Sequence, residues 1–275
     1  MDILKDDRRI TDLSFIKSFE FLPRKSSGIE DLEKARNILL DVANVVTAPE
    51  NPMGSPGIDP IIATRLLSME SDLIAMPHIT PRDKNRLFIY SQIITALKLG
   101  VRNFFVIGGD PIDPSIGSKE VREIDVMETI SSIKDSARFM DNVDEHFSIG
   151  AAFNPYREME MSIADKKISV GTDFFITQMI YDSAAIDFKS LEKKNLKIIP
   201  GFMPLSRKSQ LKFLRKLGVK MSDSIYNRLE NAEDISAESR KIILEAYDGL
   251  KKYSSGIHVM PMGNYVVARE ILECV

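Results

Sequence analysis

The feature that most constrains this chain is a recurrence: eight short runs of β-branched and aromatic residues, separated by longer stretches with apolar residues three and four apart. The runs are Ile16–Leu22, Asn44–Thr47, Ile74–Thr80, Asn103–Ile107, Phe147–Phe153, Phe174–Gln178, Lys197–Met203 and Gly256–Met260. Several, such as Phe104-Phe105-Val106-Ile107, are apolar at consecutive positions. A strand of that kind is covered on both faces, which a parallel sheet beneath helices provides and a one-sided antiparallel sheet does not. The stretches between read as helices: Leu87, Ile89, Tyr90, Ile93, Ile94, Leu97 and Leu99 carry helical spacing, and Gly100 supplies a stop. Eight strand–helix units in 275 residues match a closed (β/α)8 barrel, whose usual size is ~250 residues. An open doubly wound sheet is the alternative, because a strand count does not prove closure. The expected fold is therefore α/β, a (β/α)8 TIM barrel formed by residues 1–275 as one domain. An extra helical segment around Met221–Glu230 precedes the last barrel helix at Ser236–Lys252 and the last strand.

Charge and cysteine content remove several function classes. With 37 basic against 40 acidic side chains the net charge is −3, which gives no general attraction to nucleic acid or to an anionic membrane surface. Cys274 is the single cysteine, so neither an intrachain disulfide nor a cysteine metal cluster forms. No apolar run approaches the ~20 residues that span a bilayer, and the first residues lack a signal-peptide core, so a cytoplasmic protein is expected. Neither G-x-G-x-x-G opening a helix nor G-x-x-x-x-G-K-[ST] occurs, which leaves nucleotide binding through those turns unsupported. His78, His146 and His258 are far apart without ligand spacing, and no metal site is expected. His146 lies in a charged stretch and reads as solvated.

In a parallel barrel the chemistry gathers at the C-terminal ends of the strands. Glu20, Thr47, His78, Asp110, Asn154, Gln178, Met203 and His258 stand at or near those ends. Glu20 is flanked by Phe19 and Phe21 in a strand that should be buried, where desolvation favours the protonated acid. A structural ion pair with Arg24 or Lys25 is the competing explanation. Gly108-Gly109-Asp110 follows a strand directly, placing flexible backbone and an acid at the mouth. His78 suits a ligand hydrogen bond or a satisfied turn. Gln178 offers two donors and an acceptor, the mixture a pterin ring presents in return. Met179, Met203, Met260 and Met262 either line an apolar pocket or fill core.

Taken in order, Ser18-Phe-Glu-Phe-Leu-Pro23, Val46-Thr47, Pro77-His-Ile-Thr80, Leu99–Asp110, Ile149-Gly-Ala-Ala-Phe153, Gly171–Gln178 and Ile199-Pro-Gly-Phe-Met-Pro204 resemble the methylenetetrahydrofolate reductases. The similarity continues more loosely to Gly256-Ile-His258. It implies a barrel with a flavin, usually FAD, at the strand ends. It also implies reduction of 5,10-methylenetetrahydrofolate or a related reduced pterin to the 5-methyl form, with NADH or NADPH as electron donor. By position Glu20 is similar to the family's general acid and Asp110 to its carboxylate near flavin and folate. Gln178 matches the folate-binding amide, with Glu20 and Met203 beside it on the substrate side. Thr47, His78, Gly109, Asp110, Ala151, Phe153 and Lys167 match flavin contacts.

The chain also departs from that pattern and resembles a divergent, archaeal-type member. Phe153-Asn-Pro-Tyr156 leads to Lys167 through a shortened loop, where the family contacts the adenosine part of FAD, and Gly108 replaces an arginine. FMN is therefore kept beside FAD. Asn51–Pro60 resembles a Pro/Gly-rich loop of divergent members that use other pterin carriers. A pterin-binding one-carbon transferase or accessory subunit without its own flavin is the alternative, and a non-catalytic assembly partner a third. Self-association or a partner subunit is compatible with each.

Overall fold

The computed structural model describes residues 8–140, 147–185, 187–194 and 196–275, so His146 lies outside the described residues. Among the described residues eight strands alternate with helices, ten in all, three of them lying between β7 and β8. The order is β1 (Ile16–Glu20), α1 (Ile29–Leu39), β2 (Val45–Ala48), α2 (Pro60–Ser68), β3 (Ile74–Ile79), α3 (Arg86–Lys98), β4 (Asn103–Val106) and α4 (Val126–Asp135). It continues with β5 (Ser148–Phe153), α5 (Glu160–Ser169), β6 (Phe174–Met179), α6 (Phe188–Glu192), β7 (Lys197–Phe202), α7 (Ser209–Lys216), α8 (Asp223–Asn231), α9 (Ile235–Leu250), β8 (Gly256–Val259) and α10 (Tyr265–Glu273). Each strand pairs in parallel with the next, and β8 returns to β1, closing the barrel. The open-sheet alternative is excluded. The extra helix is present as α8, two residues from its expected start, and α3 ends before Gly100, whose φ of 82° only glycine adopts freely.

Strand alternation sorts the side chains into two cores. Inward residues, among them Ile16, Val45, Met76, Phe105, Phe174 and Ile199, fill the barrel. Outward residues such as Phe19, Phe104, Phe175 and Phe202 pack against the helices. Each such aliphatic or aromatic side chain contributes on the order of 1.5–3 kcal/mol by leaving water. Local chemistry sets where the helices start: the Asp59 carboxylate accepts from Ile61 and Ile62 N–H ahead of Pro60, and Asn85 accepts from Phe88 N–H.

The N-terminal end of the barrel is stoppered. Ile10 belongs to the inner core, its N–H donating to Asn103 Oδ1 at 2.8 Å, and Asn103 Nδ2 donates back to the Arg8 carbonyl at 3.0 Å. Ligand access is thereby directed to the opposite, C-terminal end. Among the described residues no helix is long and apolar enough to cross a membrane.

Candidate active site

The C-terminal mouth opens into a cavity of about 500 Å3, within the range that holds a drug-sized ligand. Glu20 of β1, His78 of β3, Ile107 to Asp110 beyond β4, Ala152 to Asn154 around the end of β5, Gln178 of β6 and His258 of β8 line it. Met53, Met179, Met260 and Met262 add apolar wall. Phe213 and Leu217, on α7 and just past it, form part of the rim.

Glu20 projects inward because it sits two residues beyond Ser18, which also faces the barrel interior. No cation of the described residues lies within ion-pair distance of it. Arg24, the partner expected by the structural alternative, instead donates to the Met262 carbonyl at 3.0 Å. Enclosure by the barrel wall, and then the negative charge of Asp110, push the Glu20 pKa up to about 8. The side chain is therefore a proton donor at neutral pH.

Asp110 is fixed by two neighbouring loops. Its Oδ2 accepts from the Met53 N–H at 2.8 Å, and its backbone carbonyl accepts from Arg82 Nη1 at 2.5 Å. Arg82 is buried and grips Asp83 with its other guanidinium nitrogens, while its own carbonyl accepts from Val121 N–H. The loops after β2, β3 and β4 are thus joined around one guanidinium. Gly109, at φ 78°, makes this approach feasible: a Cβ there would lie 2.5 Å from Thr80 Oγ1. A Cβ on Gly108 would meet nothing, so that position is open.

Two imidazoles complete the floor. His78 is 4% exposed, and neither ring nitrogen has a hydrogen-bond partner. Burial, and secondarily His258, lower its pKa to about 3. A neutral ring with one unpaired donor and one unpaired acceptor therefore lines the cavity, which disposes of the satisfied-turn explanation. His258 is also held neutral by burial, which lowers its pKa to about 3. Its Nδ1 lies 2.9 Å from Ser18 Oγ, and the same hydroxyl lies 3.2 Å from the Ile257 carbonyl. The Ser18 contact engages Nδ1 and leaves Nε2 as the ring nitrogen that faces a ligand, an acceptor in one tautomer and a donor in the other.

The other expected residues divide. Gln178 lines the cavity, its Oε1 accepting from Met179 N–H at 3.2 Å and its amide NH2 left without a partner among the described residues. Phe153 contributes to the wall. Thr47 lies beside Glu20 in register but outside the lining, with its buried Oγ1 unpartnered. Ala151 points its side chain into the outer core, leaving only backbone for a ligand. Lys167 is buried away from the cavity; its Nζ donates to the Ala152 carbonyl at 2.5 Å and lies 3.6 Å from Glu160, tying β5 to α5. Met203, expected on the substrate side, does not reach it. The strand ends at Phe202, inward alternation stops there, and Met203 packs in the outer core with Leu205.

Sequence reasoning missed Met53, Arg82, Ser18 as the partner of His258, and the α7 rim. The first three act through contacts between residues 28 to 240 positions apart. The one available signal was a charged run, Arg82-Asp-Lys84, directly after an apolar strand. Among the described residues no three His, Cys, Asp or Glu side chains are grouped to hold a metal ion.

The family model described as methylenetetrahydrofolate reductase matches residues 6–275. Methylenetetrahydrofolate reductase 2 of Schizosaccharomyces pombe is 24% identical over 271 residues, covering 87% of this chain and 41% of that protein. Methylenetetrahydrofolate reductase 1 of the same yeast is 26% identical over 244 residues, covering 79% and 38%. The chain therefore spans about two fifths of the length of these relatives. An uncharacterized Clostridium thermocellum protein that binds two copies of 5-methyl-5,6,7,8-tetrahydrofolic acid superposes with a TM-score of 0.68 at 17% identity, over 95% of this chain and 96% of that one. At that identity the likeness speaks to the fold alone.

Proposed function

Since this chain belongs to the methylenetetrahydrofolate reductase family, we propose that it reduces the methylene bridge of 5,10-methylenetetrahydrofolate, or of a related reduced pterin, to the 5-methyl form, with a flavin and NADH or NADPH as the electron source. The observation that carries this reading is Glu20: a carboxyl still protonated up to about pH 8, in the same cavity as Asp110.

Opening the bridged five-membered ring requires a proton on the departing nitrogen and leaves a cationic iminium on the carbon to be reduced. An acid and a fixed anion therefore serve different moments of one reaction. Glu20 donates the proton. Asp110, held in place by the Met53 amide and the Arg82 grip, offsets the developing positive charge. Gln178 presents its unpaired NH2 group, and His258 its Nε2, to the polar edges of the pterin. The apolar methionine wall limits water around the cation.

The unsatisfied atoms support a place for the flavin ring. His78 holds two unpaired ring nitrogens and Thr47 an unpaired hydroxyl on adjacent strands, groups that are costly to bury without a partner. With Gly109 backbone and Phe153 they would hold the heterocycle. When bound, the flavin supplies the hydride. Lys167 is committed to Ala152 and Glu160; Arg157, which lines the cavity, also pairs with Glu160 through one guanidinium nitrogen at 3.2 Å, and its remaining donors would face a phosphate on that side.

Anaerobic titration tests the reading. Protein loaded with FAD or FMN should bleach with NADH or NADPH and regain its yellow absorbance on addition of 5,10-methylenetetrahydrofolate. Protein that accepts neither flavin overturns it, and if such protein still binds 5-methyltetrahydrofolate it is a pterin-binding subunit instead.

A further inference from the structure

Beneath the loops that hold Asp110 lies a buried polar cluster, Glu50, Lys84 and Gln92, none of which lines the cavity. Glu50 stands two residues past β2, Lys84 just before α3 and Gln92 within α3. Glu50 Oε2 accepts from Lys84 Nζ at 2.5 Å and from the Thr80 N–H at 2.9 Å, and its Oε1 accepts from Gln92 Nε2 at 3.0 Å. Lys84 Nζ also donates to Gln92 Oε1 at 2.6 Å.

Stability does not account for this cluster. A buried ion pair loses to desolvation about what it gains by attraction, and apolar side chains of similar volume often serve a core as well or better. What a carboxylate adds is direction, because it fixes the groups that donate to it. The Thr80 N–H is one of these, and Thr80 Oγ1 accepts the Arg82 N–H at 3.3 Å. Arg82 in turn grips the Asp110 carbonyl and Asp83, and Asp83 Oδ2 accepts from Asn51 Nδ2 at 3.2 Å. Asn51 follows Glu50 in the chain, so a ring closes through Glu50, Thr80, Arg82, Asp83 and Asn51.

The turn leaving that ring is strained. Asn51 and Met53 have φ of 43° and 54°, a left-handed backbone that methionine rarely adopts, yet the Met53 N–H is the donor that holds Asp110 Oδ2. Such a turn persists only where its surroundings over-determine it, and the ring supplies that constraint.

We propose that Glu50, braced by Lys84 and Gln92, is a positioning residue: through the ring it fixes both grips on Asp110, and so the direction in which that carboxylate faces Glu20. The catalytic consequence rests on the functional reading above.

Two double variants test the role. Glu50→Gln/Lys84→Met keeps an oxygen for the Thr80 N–H, whereas Glu50→Leu/Lys84→Met removes it. Both exchange an ion pair for neutral side chains of similar size, so the summed charge is unchanged. Glu20, whose carboxyl is held up at about 8 by burial and by Asp110, reports on Asp110 in the ligand-free full chain through carbon NMR of isotope-labelled glutamate. Asp110→Asn supplies the reference, a lower midpoint. His78, His258 and Arg157 around the cavity and Tyr265 of α10 are common to every variant.

Glu50→Leu/Lys84→Met should move the Glu20 midpoint toward the Asp110→Asn value, while Glu50→Gln/Lys84→Met should keep it at the wild-type one. Thr80→Val breaks the next link, leaves the buried pair whole and should shift the midpoint in the same sense; should the Glu50→Leu double variant not fold, Thr80→Val decides alone. With flavin bound, either shifted variant should slow the pterin half-reaction by up to roughly 100-fold, the effect of misplacing a group by about 1 Å, and the nicotinamide half-reaction far less. A wild-type Glu20 midpoint in the folded variants overturns the proposal and leaves the buried pair as packing alone. Shifted midpoints in a protein that reduces no pterin support the positioning role and overturn the functional reading.

Discussion

Asp110 shares the barrel mouth with Glu20, and its negative charge adds to burial in keeping the Glu20 carboxyl protonated up to about pH 8. The anion therefore helps to maintain the acid beside it. Two carboxyls of similar intrinsic acidity take complementary parts because one is enclosed and the other is exposed and anchored by a backbone amide.

The first consequence is kinetic. Glu20→Gln keeps the size of the side chain and removes the proton, so reduction of 5,10-methylenetetrahydrofolate should fall by roughly 10²–10⁴-fold. Nicotinamide oxidation by the loaded protein should lose far less, since no proton is delivered there. The wild-type folate rate should decline as pH rises through about 8, as the acid form is lost. Stopped-flow measurement of the two half-reactions checks this, and equal losses in both would remove Glu20 from the role of acid.

The same residue should weaken the fold at high pH. Its pKa is 4.5 in an ordinary setting and about 8 in the folded chain, so between those values the folded state holds a proton that the unfolded state has released. Stability from this group is complete below the lower value and is lost as pH rises toward the upper one. Glu20→Gln has no such dependence. Above pH 8 it should exceed wild type by roughly 2–5 kcal/mol, with the difference vanishing toward acid. Urea denaturation of both proteins across pH provides the measurement.

His78 has the opposite dependence. Held near a pKa of about 3 against an ordinary 6.5, it destabilises the fold as pH drops below 6.5, where the unfolded chain gains a proton and the folded chain does not. Its two ring nitrogens are buried without partners, a cost of about 1–3 kcal/mol. His78→Phe keeps a ring against Phe105, whose centre is 4.9 Å away, and should raise Tm at neutral pH, more so in mild acid. It should also weaken flavin retention. Thermal scans paired with flavin titration decide the point; a lower Tm at every pH would mean the imidazole has a partner that satisfies it.

The barrel was legible because its strands are short, apolar on both faces and punctuated by polar strand ends. All eight were found within two residues of their observed ends. Glu20 and Asp110 were legible for a related reason: a carboxylate between phenylalanines and an acid after two glycines break the local pattern. What was not legible depends on contacts between loops. Met53 reaches Asp110 with a backbone N–H, which leaves no mark on residue type, and Arg82 reads as surface charge until three loops close over it. Glu50, Lys84 and Gln92 likewise form a buried network, with Lys84 Nζ 2.5 Å from Glu50 and 2.6 Å from Gln92, from residues each unremarkable in sequence. Met203 was misplaced because alternation was carried one residue past the end of β7.

Adjacent glycines at the mouth give the sharpest contrast. Gly109 has φ 78°, and an added Cβ would fall 2.5 Å from Thr80 Oγ1, an atom that accepts the Arg82 N–H at 3.3 Å. Gly109→Ala should therefore destabilise by about 1–3 kcal/mol from backbone strain alone. By disturbing Arg82 it should also loosen Asp110 and slow the folate half-reaction. Gly108 has open space where its Cβ would go, so Gly108→Ala should leave stability within about 0.5 kcal/mol of wild type. Because Gly108 lines the cavity, any effect of that second change should appear in ligand affinity, which a binding titration reports separately from Tm. Equal stability of the two variants would show that the Asp110 loop is not held by the contacts to Thr80 and Arg82.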